Sequence, residues 1–429
     1  MESRFETKAY KRSRSAYVFQ CTFEYFIAML VSDAFLAKLL AALGVSDNLV
    51  GIISSFVSLA FVFQLLSIFL VKVVTSKKKL VIICDSVSIF FFMLLYLLPF
   101  FPVSDEVKRV LVVISIMLAY SIKYLISSIL FKWANSYVDP SLRAVYSSNK
   151  EVLSLISGII FTAVFGYIID KFESIENLNG AFLFISMSIF VISICNLVSL
   201  MMIKSESDSA REEEAGIPLK SVIKNTFGNK NFRNVILMEC LQKFAVYFTI
   251  GFMGIYKTKD LLLSVFLIQI INIIANVARM LISRKFAVYS DKHSFAKGME
   301  LGLCIAALAF FINIFTTKDT WWLVIVFTIL YNVSVAGTNQ NSFNIAYSYV
   351  PLNCITQAMS IKNSISGICG FLASIAGGAV ISAVQNNGNM VFGVKIYAQQ
   401  ILSAISFVMI VAAALYIHFV IAKQSIKIQ

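Results

Sequence analysis

Ser205–Gly216, SESDSAREEEAG, is the one long acidic and predominantly polar stretch of this chain. It sits near the middle of 429 residues. On either side of it the sequence runs in long apolar segments, six before and six after. An apolar run of about 20 residues is the length that crosses the hydrocarbon core of a bilayer as a helix. The expected spans are 17–41, 48–71, 79–101, 109–132, 147–169 and 179–203, then 232–256, 260–284, 296–316, 321–346, 361–384 and 399–421. The expected fold class is an all-α membrane protein with twelve transmembrane helices in two six-helix pseudo-repeats. The domain reading is an N-terminal six-helix bundle over 1–203, a cytoplasmic linker over 204–231, and a C-terminal six-helix bundle over 232–429. Within the linker, Ile217, Val222, Ile223 and Phe227 alternate with Lys220 and Lys224, a pattern that suits a short helix on the inner membrane surface.

Composition agrees. Hydrophobic residues make up 59% and charged residues 14% of the chain, and the mean hydropathy is +0.83. A water-soluble surface needs more charge than that. Only 5 Pro and 18 Gly interrupt the helices. The net charge of +13 marks a cytoplasmic face, not a nucleic-acid partner. Lys and Arg gather at the N-terminus (Arg4, Lys8, Lys11, Arg12, Arg14), between spans 2 and 3 (Lys72, Lys77, Lys78, Lys79), in the middle stretch, and between spans 8 and 9 (Arg284, Lys285, Lys292, Lys297). The opposite side holds fewer, among them Lys108, Arg109, Lys171 and Lys318. Both termini are therefore expected in the cytoplasm. The start of the chain lacks the cleavage pattern of a removed signal peptide. The 7 cysteines form no CxxC pair, and the two histidines have no metal-ligand spacing, so neither a disulfide framework, a zinc site nor any other cofactor is indicated.

The halves behave as a weak repeat. Sliding the sequence by about 213 residues aligns the span starts in the manner of a parallel six-helix repeat. Ser76–Lys79 then falls on Tyr289–Lys292, and Ala144–Lys150 on Gln357–Asn363.

Between spans 8 and 9 stands Ala287-Val288-Tyr289-Ser290-Asp291-Lys292. It resembles the loop signature of the major facilitator superfamily: Gly, three residues, then Asp-Arg. Ala287 replaces the Gly and Lys292 the Arg. Asp139-Pro140-Ser141-Leu142-Arg143 is similar to the loop between the superfamily's fourth and fifth helices. The resemblance covers nearly the whole chain, and the stretch Asn387–Gln400 resembles a segment of a poorly characterised bacterial branch. The resemblance implies a secondary transporter acting on a small-molecule substrate. It also implies that the first, fourth, seventh and tenth helices line a central cavity. The short loops and the lack of a targeting segment point to a plasma (inner) membrane, and the chain is expected to work as a monomer.

Charge inside hydrocarbon is costly and usually faces a cavity or a partner. Glu24 and Asp33 lie on span 1, Lys123 on span 4, and Glu239 and Lys243 on span 7. Span 10 carries Asn332, Thr338, Asn339, Gln340 and Asn341. These are the same four spans that the resemblance places around the cavity. Lys123 and Lys243 fall near mid-depth, and Asp33 slightly outward of it. Asp33 and Lys123 can pair across spans 1 and 4, and Glu239 and Lys243 can pair within span 7 as i and i+4, either as a structural pair or as part of the site. Desolvation favours the protonated form of a carboxyl group, which makes Asp33 the first candidate for coupling to protons. Amide-rich walls suit sugar- or nucleoside-like solutes, Lys123 suits an organic anion, and Tyr124, Tyr247 and Tyr331 can stack on a ring. Asp85, Arg143, Glu151 and Asp291 lie toward the cytoplasmic end and read as an inner gate.

The expected function is proton-coupled uptake of a small polar solute. The alternative is a proton-driven exporter of lipophilic cations, which two acids on span 1 favour. Against it, span 5 lacks a Gly-Pro signature between Gly158 and Gly166, and Lys123 and Lys243 repel cations. No GxxxxGK[ST] motif for an ATPase occurs. The clustered ligands of a membrane enzyme are not visible, and nothing marks a non-transporting receptor or scaffold.

Overall fold

The computed structural model describes residues 7–74, 76–138, 143–205, 227–350, 355–391 and 394–424. Helix dominates them. In the first half the helices are α1 (Lys8–Leu30), α2 (Asp33–Ala42), α3 (Asp47–Ser54), α4 (Phe56–Ala60), α5 (Phe63–Val73), α6 (Lys77–Leu97), α7 (Asp105–Asn135), α8 (Arg143–Ser174) and α9 (Leu178–Met202). The second half has α10 (Lys230–Ile250), α11 (Val265–His293), α12 (Phe295–Asn313), α13 (Leu323–Tyr347), α14 (Ile355–Asn386) and α15 (Ala398–Tyr416). Eleven stretches among the described residues are long and apolar enough to cross a membrane, and the bent pair α1–α2 makes a twelfth. The only strands there, β1 (Met390–Val391) and β2 (Val394–Lys395), form a two-residue antiparallel ladder.

The boundaries differ from the sequence reading where polar residues and breaks intervene. Span 1 is not continuous: it bends by 43° between α1 and α2. Span 2 is three short helices, broken at Ser55 and at Phe61–Val62. Span 7 runs on past residue 256 through a π-turn, Tyr256–Asp260. Span 8 therefore starts at Val265, where Ser264 caps α11 by accepting from the Leu267 amide, and not at residue 260. The surface helix expected over 217–227 and most of the linker lie outside the described residues.

The chain folds as two compact units. One comprises Met1–Val45 and Phe63–Gly216, the other Ser46–Val62 and Ile217–Gln429. The first unit has a core around Trp133, with Tyr17, Val81, Ile129, Leu200 and Ile203 packed on it. Lys204, at the end of this unit's last helix, accepts hydrogen bonds at its carbonyl from Trp133 Nε1 (3.1 Å) and Tyr137 Oη (2.7 Å). Lys78 Nζ donates to the carbonyls of Met201 and Ile203, each at 2.6 Å. These donors satisfy carbonyls that a helix C-terminus leaves open. The second unit has a core of Phe248, Phe252, Ala373, Ile381 and Leu402. There α3 and α4 lie on α14 because α14 carries glycine where they cross. Ser58 Oγ donates to the Gly367 carbonyl at 3.0 Å, and a Cβ at Gly370 would stand 2.5 Å from the same hydroxyl. Small residues at helix crossings allow this backbone approach in membrane proteins.

Candidate functional site

In the first unit the polar side chains of four helices converge on Lys123. Its ammonium lies 2.5 Å from Glu24 Oε1 and 3.0 Å from Asp85 Oδ1. Asp85 Oδ2 accepts in turn from the Asn196 amide. The helices involved are α1, α6, α7 and α9. Asp85 and Asn196 are buried, whereas the Glu24 and Lys123 side chains keep 22% and 23% of their surface exposed. Asp85 lies eight residues into α6, about 12 Å from its start. It therefore does not sit at the inner rim as a gate acid: it is the buried wall of a three-charge cluster. The pairing of Lys123 with Asp33 that the sequence allows is not formed: Glu24 and Asp85 hold Lys123 instead.

Asp33 occupies a different feature, the break in span 1. It opens α2 with φ +44°, the left-handed region that non-glycine residues seldom occupy. The break leaves the last carbonyls of α1 short of helical donors, and two tyrosines supply them. Tyr96 Oη donates to the Leu30 carbonyl, and Tyr120 Oη to that of Val31 at 3.5 Å. A broken helix at membrane depth requires such replacement donors. Tyr124 lies one residue beyond Lys123, half-buried, and its carbonyl accepts from Ser127 Oγ at 2.9 Å.

The second unit holds its own buried ion pair. Glu239 on α10 lies 3.3 Å from Lys362 Nζ on α14, and the Ser342 hydroxyl on α13 donates to the same carboxylate. Lys362 Nζ is also 3.2 Å from that hydroxyl. The expected i,i+4 partner, Lys243, turns to the Tyr247 ring, with its ammonium 5.7 Å from the centroid. Tyr331 stacks on Phe327 at 5.9 Å. Its hydroxyl is within electrostatic reach of Tyr247 and of Arg279 on α11.

The amide run of span 10 divides by face. Thr338 and Asn341 are buried against α12: a Cβ at Gly302 would stand 3.0 Å from Thr338 Cγ2, and one at Gly298 2.6 Å from Asn341 Nδ2. Asn341 Nδ2 also donates to the Gly337 carbonyl at 2.8 Å. These two side chains pack against α12, a correction to their expected place at a substrate. Asn339 and Gln340 point the other way and are exposed. Asn332, half-buried, donates to the Thr328 carbonyl at 2.9 Å. Of the remaining gate residues, Asp291 is exposed on the last turn of α11, and the side chains of Arg143 and Glu151 lie outside what the structure describes.

Sequence reasoning missed Lys362, Ser342 and Asn196. Lys362 had a signal, as a lysine in an otherwise uncharged run, Ile355–Asn386. A span starting at residue 361 puts that lysine at a helix end. The helix starts at Ile355 and carries Lys362 two turns inward.

The sequence model of the Major Facilitator Superfamily matches residues 16–374. A comparison with curated proteins finds no significant match. Among solved structures, the nucleoside transporter NupG superposes with a TM-score of 0.69 at 14% identity, covering 98% of this chain and 100% of its own. An auto-inhibited POT family peptide transporter gives 0.67 at 11%, covering 99% of both chains. The inward-open xylose transporter XylE from E. coli gives 0.67 at 14%, covering 96% of both.

Proposed function

The chain belongs to the Major Facilitator Superfamily, and we propose that it is a secondary active transporter that takes up a small polar solute together with protons by alternating access. Membership makes it an integral membrane protein and a transporter, not an enzyme. The solute reading spans sugar-like, nucleoside-like and organic anionic compounds.

The observation that carries the coupling is the single cation shared by two acids. With all three groups ionised, Glu24, Asp85 and Lys123 sum to one negative charge. A proton on either carboxyl neutralises the cluster, and loss of that proton restores the charge. A net charge that is costly inside a membrane is then present in one protonation state and absent in the other. Glu24 is the better carrier, because its side chain reaches the surface while Asp85 is sealed and also holds Asn196. Asp33, at the break in span 1, is the second carrier. The distribution of Lys and Arg supports cytoplasmic termini; the reading also takes the membrane to be a plasma (inner) membrane and one chain to be the working unit.

The test is the external pH of proteoliposomes on addition of solutes, with wild type beside Glu24→Gln and Asp33→Asn. Alkalinisation driven by a sugar, nucleoside or organic anion and lost in Glu24→Gln supports symport through the cluster. Loss in Asp33→Asn alone moves the coupling role to the helix break. A response of opposite sign, confined to lipophilic cations, replaces uptake with export.

A further inference from the structure

One face of α1 changes chemistry with depth. Lys8, Lys11 and Arg12 stand exposed on its first turns, and Phe19 follows at 54% exposed. Helical spacing puts Lys8, Arg12, Ser15, Phe19, Phe23 and Phe26 on that face. The rings form a row. Phe19 and Phe23 have centroids 6.5 Å apart, Phe23 and Phe26 6.4 Å, and Phe26 stacks on Phe161 of α8 at 4.3 Å. No Asp or Glu stands between Thr7 and Phe23. Arg14 lies off this face and donates to the Tyr137 carbonyl at 3.2 Å. Glu24 is about 140° round the helix from Phe19, so the stripe turns away from the three-charge cluster.

The row leads into a cavity between α8 and α9. α8 runs alongside α1 in the same direction, since Thr22 meets Ser154 at 3.2 Å and Phe26 meets Phe161. α9 turns back from a short connection at the end remote from Lys8. There Phe184 of α9 closes on Phe165 and Phe172 of α8, at 5.3 and 6.3 Å. Phe161, Phe165, Phe184, Met187 and Val191 line a cavity of about 420 Å³, a size that suits a bound ligand. Met187 and Val191 are each 59% exposed. Ser188, the polar side chain in the lining, donates to the Phe184 carbonyl at 2.8 Å. The lining therefore offers hydrocarbon and ring faces.

We propose that the first unit binds one anionic phospholipid, with its headgroup on Lys8, Lys11 and Arg12 and an acyl chain along the phenylalanine row into the cavity. The assignment uses only the placement in a membrane that family membership gives, and it is independent of the transported solute. The dimensions agree. Arg12 and Phe26 are about 21 Å apart along the helix, and one leaflet with its headgroups is about 20–22 Å thick. With Arg12 among the headgroups, Phe26 and the cavity stand near the midplane, where acyl chains end. A soluble anion would meet the basic turns and leave the rings unused. A neutral lipid would meet the rings and leave the cations unused. Basic clusters where a helix enters the membrane attract anionic lipids, and Arg12 adds a planar fork for the phosphate.

The test titrates the purified full-length chain in detergent with dioleoyl phosphatidylglycerol, dioleoyl phosphatidylcholine and, as the headgroup alone, glycerol 3-phosphate. Native mass spectrometry counts the bound lipids, and thermal unfolding reports the same binding independently. The expected result is one molecule of phosphatidylglycerol, bound at lower concentration than phosphatidylcholine, and no effect of glycerol 3-phosphate. The triple variant Lys8→Gln, Lys11→Gln, Arg12→Gln should raise the half-saturating concentration of phosphatidylglycerol roughly a hundredfold, about fivefold per charge. Its binding of phosphatidylcholine should be unchanged. The variant Lys8→Arg, Lys11→Arg, Arg12→Lys keeps the charges, should bind as wild type does, and guards against misfolding as the cause. Val191→Trp fills the cavity from an exposed position and should weaken both lipids, with the unfolding temperature in detergent alone unchanged. Met187→Trp, on the same wall, repeats that reading. Equal binding of the two lipids overturns the proposal, as does phosphatidylglycerol binding that the glutamine variant leaves intact. Stabilisation by glycerol 3-phosphate equal to that by phosphatidylglycerol, or tryptophan variants that bind as wild type does, also overturns it.

Discussion

Lys362 and Glu239 face each other at 3.3 Å with both side chains buried, across two helices that are 123 residues apart in sequence. Removing one partner strands the other charge. Such a loss costs about 3–5 kcal/mol, whereas replacing both partners with uncharged groups of similar size is often near neutral. Glu239→Gln alone and Lys362→Met alone should therefore lower the unfolding temperature of the purified protein strongly. The double variant should recover most of the loss. Equal additive losses in the double variant would show that the two groups do not act as a pair.

The three-charge cluster of the first unit predicts an unequal mutant series. Lys123→Met leaves Glu24 and Asp85 facing each other without a cation, and should be the least stable of the single variants. Adding Glu24→Gln to Lys123→Met removes one of the two like charges and should restore part of the stability, a coupling read as a double-mutant cycle. Glu24→Gln on its own leaves the Lys123–Asp85 pair at 3.0 Å intact. It should fold normally and affect proton coupling alone.

The spans were legible because apolar length is a one-dimensional property. Leu178–Met202 and Leu323–Tyr347 match the sequence reading to within two residues. The break in span 1 was not, since two residues, Val31 and Ser32, hardly change a hydropathy average. Its trace in the sequence is local: Ser32 followed by Asp33, the composition of a helix start inside an apolar run. The charged residues of the site were legible as intramembrane charges, but not their partners. Glu24, Asp85 and Lys123 lie on α1, α6 and α7, and helical periodicity carries no information on which helices adjoin. Local spacing offered Lys243 to Glu239, and tertiary packing supplied Lys362 instead. Thr338 and Asn341 read as site residues because a run of four polar side chains shows no face until α12 covers one.

Asp33 combines a carboxyl group with a left-handed backbone, and two substitutions separate these. Asp33→Ala and Asp33→Gly both delete the carboxyl group. Only alanine keeps the Cβ that makes φ +44° unfavourable, at about 1–2 kcal/mol for an L residue. Asp33→Gly should therefore unfold at a higher temperature than Asp33→Ala, while both lose whatever proton coupling the carboxyl provides. In the same region, Tyr96→Phe removes the donor to the Leu30 carbonyl. It should cost about 1–3 kcal/mol, the penalty of an unsatisfied buried acceptor. If the two Asp33 variants unfold alike, the backbone at the break relaxes to a helical φ in solution.

Gly367 tests whether backbone contact, and not side-chain polarity, seats α3 and α4 on α14. A Cβ there would overlap the Ser58 carbonyl oxygen, which is backbone and cannot rotate away. Gly367→Ala should force the helices apart and cost about 1–3 kcal/mol, the usual range for overpacking. Ser58→Ala removes only the hydroxyl that donates to the Gly367 carbonyl, so its cost should be near that of a single hydrogen bond, about 1 kcal/mol. Gly228→Ala, where nothing stands within 4 Å of the new carbon, is the control and should leave the unfolding temperature unchanged. Thermal unfolding of the three variants, measured side by side, should rank them Gly367→Ala, Ser58→Ala, Gly228→Ala in falling order of damage. A Ser58→Ala variant at least as damaged as Gly367→Ala would assign the seat to the hydroxyl instead.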